Sequence, residues 1–315
     1  MSATGRIDAI DLARGLALLA MAVFHFAWDL EFFGYAEPGM TQQFGWKLFA
    51  RCIAASFLIL VGISLFLAHR HAIRWRSFGI RLAQIGGAAA MITAVTALAT
   101  PDRFIFFGIL HQIALASLLG LAFLRLPAPL LLILAAGCVA ARQFLRLPVF
   151  DHPGLWWIGL APLDPESNDY VPLFPWFGAV LAGIALARIA DSAGVLARLA
   201  GIRAGRAAAP LRFAGRHGLA FYLLHQPVLI GGLWLYSQIG PAPLADRDAA
   251  LVGACLQSCL DVRDEAWCQA YCACVLERVG TGGMLDEPMD GPSDMLQGQM
   301  QAIAGACQAQ IGEGP

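Results

Sequence analysis

The sequence predicts an all-α fold: a polytopic membrane bundle of about seven transmembrane helices, N-terminus inside and C-terminus outside, followed by a small cysteine-rich helical hairpin. Three observations predict it. Hydrophobic residues make up 58% of the 315 residues and charged residues 14%, with a mean hydropathy of +0.64, a balance that a water-facing domain of this length would not keep soluble. A helix needs roughly 20 mostly apolar residues to cross the hydrocarbon core, and seven runs qualify: about 10–33, 45–69, 78–99, 104–125, 128–147, 172–190 and 215–239. The charge also divides. Residues 1–245 hold 18 Lys/Arg against 11 Asp/Glu, and residues 246–315 hold 3 against 11, so the chain reads as a membrane domain, 1–245, and an acidic tail, 246–315.

The first run follows a basic start that resembles a signal n-region, but Asp8 and Asp11 interrupt it and no small-x-small site follows, so it reads as an uncleaved span. Arginine distribution orients the bundle, because basic residues are retained on the cytoplasmic side. Thirteen fall on the side of Arg6, Arg14, Arg70–Arg81 and Arg188–Arg216, against five on the other, which places the N-terminus inside. The outer loop 148–171 carries the pair Trp156-Trp157, suited to the headgroup level. The inner loop 191–214 reads as an Ala/Gly/Arg connector near anionic lipid. Small residues in span 2, around Ala54-Ala55-Ser56 and Gly62-Ile63-Ser64, and in span 3, Gly86 to Ala90, read as close helix packing.

Span 1 carries the sharpest signal. At 100° per residue, Arg14 and His25 lie about 20° apart, and Asp11 and Asp29 fall within about 60° of Arg14, so the four share a stripe. Ionisable groups facing lipid cost several kcal/mol, so the stripe should face protein or a water-filled cavity. Asp29, one turn after His25, can hold one ring nitrogen and leave the other as an acceptor, the arrangement of a general base. His25 lies roughly 16 Å along the helix axis from Arg14. With His111, Asp102, Arg103 and Asp169 it belongs to the outer half, while His225 sits near the middle of span 7. A shared cavity is the functional reading; bonds to neighbouring carbonyls, and a kink at Pro227 for His225-Gln226, are the structural one. A metal site ranks below both, because no span carries His-x-x-x-His spacing.

In the tail, Cys255-x3-Cys259 and Cys268-x3-Cys272 have twin spacing. Cysteines at i and i+4 share a helix face, so two antiparallel helices around a turn at 262–264 would be joined as Cys255–Cys272 and Cys259–Cys268. Cys274 and Cys307 remain as a third pair, residues 295–311 read as one amphipathic helix, and zinc is the competing use of the four cysteines.

The segments 6–17 (Arg-Ile-Asp-Ala-Ile-Asp-Leu-Ala-Arg-Gly-Leu-Ala), 25–30 (His-Phe-Ala-Trp-Asp-Leu), 56–64, 169–178 and 215–227 together resemble the bacterial branch of the heparan-α-glucosaminide N-acetyltransferase catalytic-domain family, within the wider transmembrane acyltransferases. Arg14-x10-His25 matches an arginine-to-histidine spacing shared in that superfamily. The resemblance implies transfer of an acyl group from cytoplasmic acyl-CoA, acetyl-CoA first, to a hydroxyl or amine of an extracytoplasmic glycan or glycolipid. It implies a bacterial inner membrane setting with a periplasmic tail. His25, Asp29, His111 and Asp169 are the expected catalytic residues, with Arg14, Arg74, Arg76 and Arg81 for the CoA phosphates and Asp102, Arg103 and His225 for the acceptor. Two departures stand beside it: residues 34–44 hold no histidine where the lysosomal enzyme keeps its catalytic one, and the Arg-x-x-Arg pair of some acyltransferases near span 3 is missing. No metal and no nucleic acid is expected as a partner. Self-association and an extracytoplasmic partner for the tail stay open. A proton-coupled transporter or exporter of an envelope component is the alternative class.

Overall fold

The computed structural model describes residues 7–37, 39–240, 247–260, 263–281 and 293–312. Arg6, Val262 and the expected junction at 245/246 lie outside these residues. The chain forms two compact units, residues 1–24 with 47–228, and residues 25–46 with 229–315. The described residues contain helices and no strand.

In chain order the helices are α1 (Asp8–Phe32), α2 (Phe44–His69), α3 (Trp75–Ala99), α4 (Ile109–Phe123), α5 (Ala128–Phe144), α6 (Leu173–Ser192), α7 (Val195–Gly201), α8 (Ala209–Arg216), α9 (Gly218–Ser237), α10 (Arg247–Cys259), α11 (Glu265–Thr281) and α12 (Ser293–Ile311). Among the described residues, α1, α2, α3, α6 and α9 are long and apolar enough to cross a membrane, while α4 and α5 are apolar but have 15 and 17 residues. The expected fourth run starts five residues too early. Its opening segment, residues 104–108, is irregular rather than helical, with its carbonyls taken from outside: Ser167 Oγ donates to Phe104 O at 3.0 Å, Thr93 Oγ1 to Ile105 O at 2.6 Å and Val171 N to Phe107 O at 3.0 Å. The connector expected over 191–214 holds α7 and the start of α8, more order than its composition suggests.

The first unit is built on α6. Val180, Ile184 and Ala185 are fully buried together with Leu58 of α2, Ala116 of α4 and Leu131 of α5. Two reciprocal glycine contacts bring backbones together. A Cβ on Gly62 would overlap the Val180 carbonyl oxygen and one on Gly183 would overlap the Ile59 carbonyl oxygen, locking α2 to α6; Gly15 and Leu211, with Gly215 and Asp11, repeat the arrangement between α1 and α8. Span 3 follows its packing expectation at Ala88 and Ala89, which are buried in a cluster with Leu110 of α4, but not at its glycines. Nothing lies within 4 Å of a Cβ built on Gly86 or Gly87, so these glycines admit no neighbouring helix.

In the second unit, the Glu31 carboxylate accepts Gly39 N at 2.6 Å, Thr41 N at 2.9 Å and Thr41 Oγ1 at 2.7 Å, which fixes the turn after α1. Cys255–Cys272 and Cys259–Cys268 join α10 to α11, and Cys274–Cys307 joins α11 to α12. Among the described residues the tail holds three disulfide-tied helices, the expected hairpin followed by the helix expected over 295–311. Trp267 Nε1 adds a bond to Gly312 O at 3.0 Å.

The glycine geometry makes a paired prediction. Gly215→Ala and Gly62→Ala place a methyl against backbone oxygen, which cannot rotate away, and are expected to lower the thermal midpoint in detergent by several degrees or abolish folded protein. Gly86→Ala has open space and gains up to about 1 kcal/mol of helix propensity, so its midpoint should stay level or rise. Thermal denaturation followed by size-exclusion chromatography reads all three.

Candidate functional site

The site in the first unit starts from two buried carboxylates. Asp8 and Asp11, both 2% exposed, lie one turn apart on α1. Asp8 accepts Arg212 at 2.5 Å, Arg216 at 3.4 Å and the Ala204 backbone N–H at 3.3 Å; Asp11 accepts Arg216 Nε at 3.1 Å and Arg14 at 3.1 Å. Carboxylates taken out of water are expensive unless paired and hydrogen-bonded, and the α8 guanidiniums supply that pairing. The closeness of α8 that they require is what Gly15 and Gly215 permit. The second nitrogen of Arg14 reaches Ser64 Oγ of α2 at 2.5 Å, and Ser64 passes its own hydrogen to Leu60 O. Three guanidiniums against two carboxylates leave the group cationic.

That group borders a cavity of about 1570 Å³, above the roughly 300–1,000 Å³ of drug-sized ligand sites. Arg14, Arg70, Arg74, Arg81 and Arg216 line it, with Asp11 and Asp191 as the acidic groups. Arg70 pairs with Asp191, and His69 Nδ1 accepts the Arg74 backbone N–H at 3.2 Å, which shapes the loop between α2 and α3. The α3 wall runs from Ser77 to Met91, about 21 Å of helix at 1.5 Å per residue, against a hydrocarbon core of roughly 30 Å. Charge is confined to the α3 start. Beyond Arg81 the α3 wall is Leu82, Gln84, Ile85, Gly87, Ala88 and Met91, faced by Leu110 and Ile113 of α4 and Leu219 and Leu223 of α9. Gly87 therefore keeps this cavity wide. Its open Cβ direction and its place in the wall are the same fact.

A second group stands where the irregular segment meets α4. The Asp169 carboxylate accepts the Ile109 N–H at 2.8 Å at the helix start, close against Gly108. Burial pushes the Asp169 carboxyl up to about 6, with the Ile109 N–H pulling the other way. His111 caps the same turn: its Nδ1 accepts Gly108 N at 3.2 Å, and its Nε2 lies 3.2 Å from Thr93 Oγ1. Thr93 already gives its hydrogen to Ile105 O at 2.6 Å, so the contact requires a hydrogen on Nε2, and both ring nitrogens are engaged. His111, Asp169 and Tyr222 line a small void together.

The expected residues separate as follows. Arg14, Arg74 and Arg81 share the cavity; Arg76, one residue beyond Trp75, is exposed and lies outside its lining. His111 and Asp169 share the small void. Asp102 and Arg103 are exposed on the loop before α4, where Arg103 pairs with Glu166 at 3.2 Å. His225 turns Nδ1 to its own helix, donating to Tyr222 O at 2.6 Å. On α1, Asp29 is fully buried and His25 half-buried, and with buried Asp11 and half-buried Arg14 none of the stripe is exposed. Sequence reasoning passed over Arg70, Arg216, Ser64, Gly87 and Tyr222. Arg216 and Tyr222 fall in the quoted 215–227 segment and Ser64 in 56–64, and Arg216 also lies four residues from Arg212, so these three offered a signal.

Comparison with protein families matches residues 6–227 to the family described as heparan-alpha-glucosaminide N-acetyltransferase, catalytic. No curated protein and no solved structure matches.

Asp169 gives a pH prediction. Its folded-state pKa, about 6, lies above the ordinary 3.8, so ionisation opposes folding at neutral pH. Stability from this group is gained as pH falls through about 6 and is lost as pH rises, by at most about 3 kcal/mol. Asp169→Asn keeps an acceptor for Ile109 N and cannot ionise. Its thermal midpoint should exceed that of the parent at pH 7.5, with the gap closing toward pH 5.

Proposed function

The chain belongs to the heparan-alpha-glucosaminide N-acetyltransferase catalytic-domain family, and from that premise we propose that it moves an acyl group, acetyl first, from cytoplasmic acyl-CoA to a hydroxyl or amine of an extracytoplasmic carbohydrate. The observation that carries the donor assignment is the cavity, with five arginines at one end and an apolar interior beyond them. An acyl-CoA has the same order of parts. Its phosphates suit guanidinium, which binds them through two parallel N–H donors, and its pantetheine arm and acyl group suit the apolar walls. In this reading Arg14, Arg74 and Arg81 hold phosphate, and Arg70 and Arg216 join them.

We assign the base to His25, oriented by Asp29 one turn later on α1, and the acceptor to the outer side. His111 holds the start of α4 in place and Asp169 faces the acceptor. Asp102, Arg103 and His225 remain the acceptor-binding candidates, and Arg76 a candidate for phosphate at the membrane surface. Cytoplasmic donor entry needs the N-terminus inside and the tail outside. Two independent features support that orientation: the arginine distribution, and three disulfides in the tail, which persist in oxidising compartments. A bacterial inner membrane with a periplasmic tail fits both.

Purified protein in nanodiscs with radiolabelled acetyl-CoA and a glucosamine-terminated oligosaccharide tests this. Label should pass to the sugar. His25→Ala is expected to reduce turnover by at least about 10²-fold at unchanged thermal midpoint, whereas Arg81→Gln should raise the donor KM with smaller effect on kcat. Gly87→Leu adds a bulky side chain to the cavity wall at a position where a Cβ meets nothing within 4 Å, and should weaken donor binding while the protein stays folded. Full activity in His25→Ala refutes the base assignment, and donor binding unchanged in both cavity variants refutes the donor site.

A further inference from the structure

The inner end of the large cavity and the small void at His111 and Asp169 share a wall, and Tyr222 stands in it. Leu110 and Tyr222 line both spaces. Leu110 is apolar, so Tyr222 is the residue with a polar side-chain group common to both linings among the described residues. Leu18, Phe57, Leu110 and Leu223 belong to the same apolar clusters as Tyr222 and line the large cavity with it. The ring itself is held firmly. Tyr222 packs against all three apolar clusters of the first unit, the α6-centred core, the α3 and α4 cluster, and the Leu18, Met21 and Ile53 cluster. A tyrosine so packed presents its hydroxyl from a ring with little mobility left to lose.

We propose that the Tyr222 hydroxyl is a catalytic residue that donates a hydrogen bond to the carbonyl oxygen of the donor thioester at the inner end of the cavity. The proposal rests on the acyltransferase reading above. With phosphates at the arginines, the thioester at the far end of the pantetheine arm is carried into the interior, and its carbonyl oxygen needs a hydrogen-bond donor there. In the reaction the acceptor oxygen or nitrogen attacks the carbonyl carbon and its proton passes to the base. The carbonyl oxygen becomes an oxyanion, which Tyr222 stabilises without giving up its proton. Collapse re-forms the C=O bond and breaks the C–S bond, and the CoA thiolate leaves and takes up a proton. Fixed donors aimed at a developing oxyanion in a low-dielectric site commonly contribute about 10²–10³ in turnover.

Tyr222→Phe keeps the ring and its packing and removes the hydroxyl. In full-length protein in nanodiscs, with acetyl-CoA as donor, kcat is expected to fall by about 10²–10³-fold with the donor KM within about twofold and the thermal midpoint unchanged. Such a loss confined to kcat marks an interaction made in the transition state. An undiminished kcat, or a raised KM with kcat intact, overturns the assignment while leaving the acyltransferase reading standing. A parent protein that turns over no acyl-CoA from acetyl to octanoyl overturns the reading and the assignment together.

Discussion

The architecture of the first unit depends on the burial of Asp8 and Asp11 against Arg14, Arg212 and Arg216. Removing one partner from a buried ion group leaves an uncompensated charge, a loss of roughly 3–5 kcal/mol, so the group requires α8 to stay at α1. Geometry follows from that requirement. Gly15 and Gly215 let the two backbones meet, α8 then leads directly into α9, and Tyr222 is carried to the inner end of the cavity. The same carboxylate that receives Arg216 turns Arg14 toward Ser64 of α2. A charge problem inside a membrane domain is solved by a helix contact, and the contact sets the wall of a site.

The cavity inherits its polarity from this arrangement. Asp11 and Asp191 offset only part of the charge of five lining arginines, so the residual potential is positive and sits at one end, where low-dielectric walls concentrate it. Further in, the charge stops and small or aliphatic residues take over. A long amphipathic ligand with an anionic head enters such a space in one direction. Gly87 shows that the width of the interior is maintained at a cost to the helix, because glycine in a helix interior is about 1 kcal/mol less favourable than alanine and no neighbouring helix approaches to make use of it.

What the sequence made legible was periodic or local. The long apolar runs became α1, α2, α3, α6 and α9 because length and hydropathy alone decide them. The i, i+4 cysteines became Cys255–Cys272 and Cys259–Cys268 because helix spacing puts them on one face. The inward stripe of α1 was legible for the same reason, as the burial of Asp11 and Asp29 shows. What stayed hidden depends on partners distant in the chain. Phe104 to Gly108 is apolar enough for a helix, and bonds to Thr93 and Thr96 of α3 and to the loop at 167–171 keep it irregular. Gly87 and the packing glycine Gly62 look alike in sequence, and what opposes their Cβ directions tells them apart. Arg212 and Arg216 count only toward the orientation of the bundle until Asp8 and Asp11 are found against them.

The histidines show how far residue type alone carries a mechanism. A general base needs a ring nitrogen with a free lone pair within reach of the acceptor. At His111 one lone pair is used by Gly108 N, and the other nitrogen must carry hydrogen because Thr93 has already spent its own on Ile105 O. A histidine so engaged is a helix cap that happens to lie beside a buried acid. To accept a proton it would first have to release the start of α4, and the Asp169 carboxylate bonded to Ile109 N at that same turn would lose its setting with it. Proton acceptance therefore belongs elsewhere. Within the first unit the titratable group of that turn is Asp169, raised by burial into the range where it exchanges protons near neutrality. The case for His25 as the base then rests on α1 itself, where Asp29 follows one turn later and is fully buried, and no longer on a count of membrane histidines.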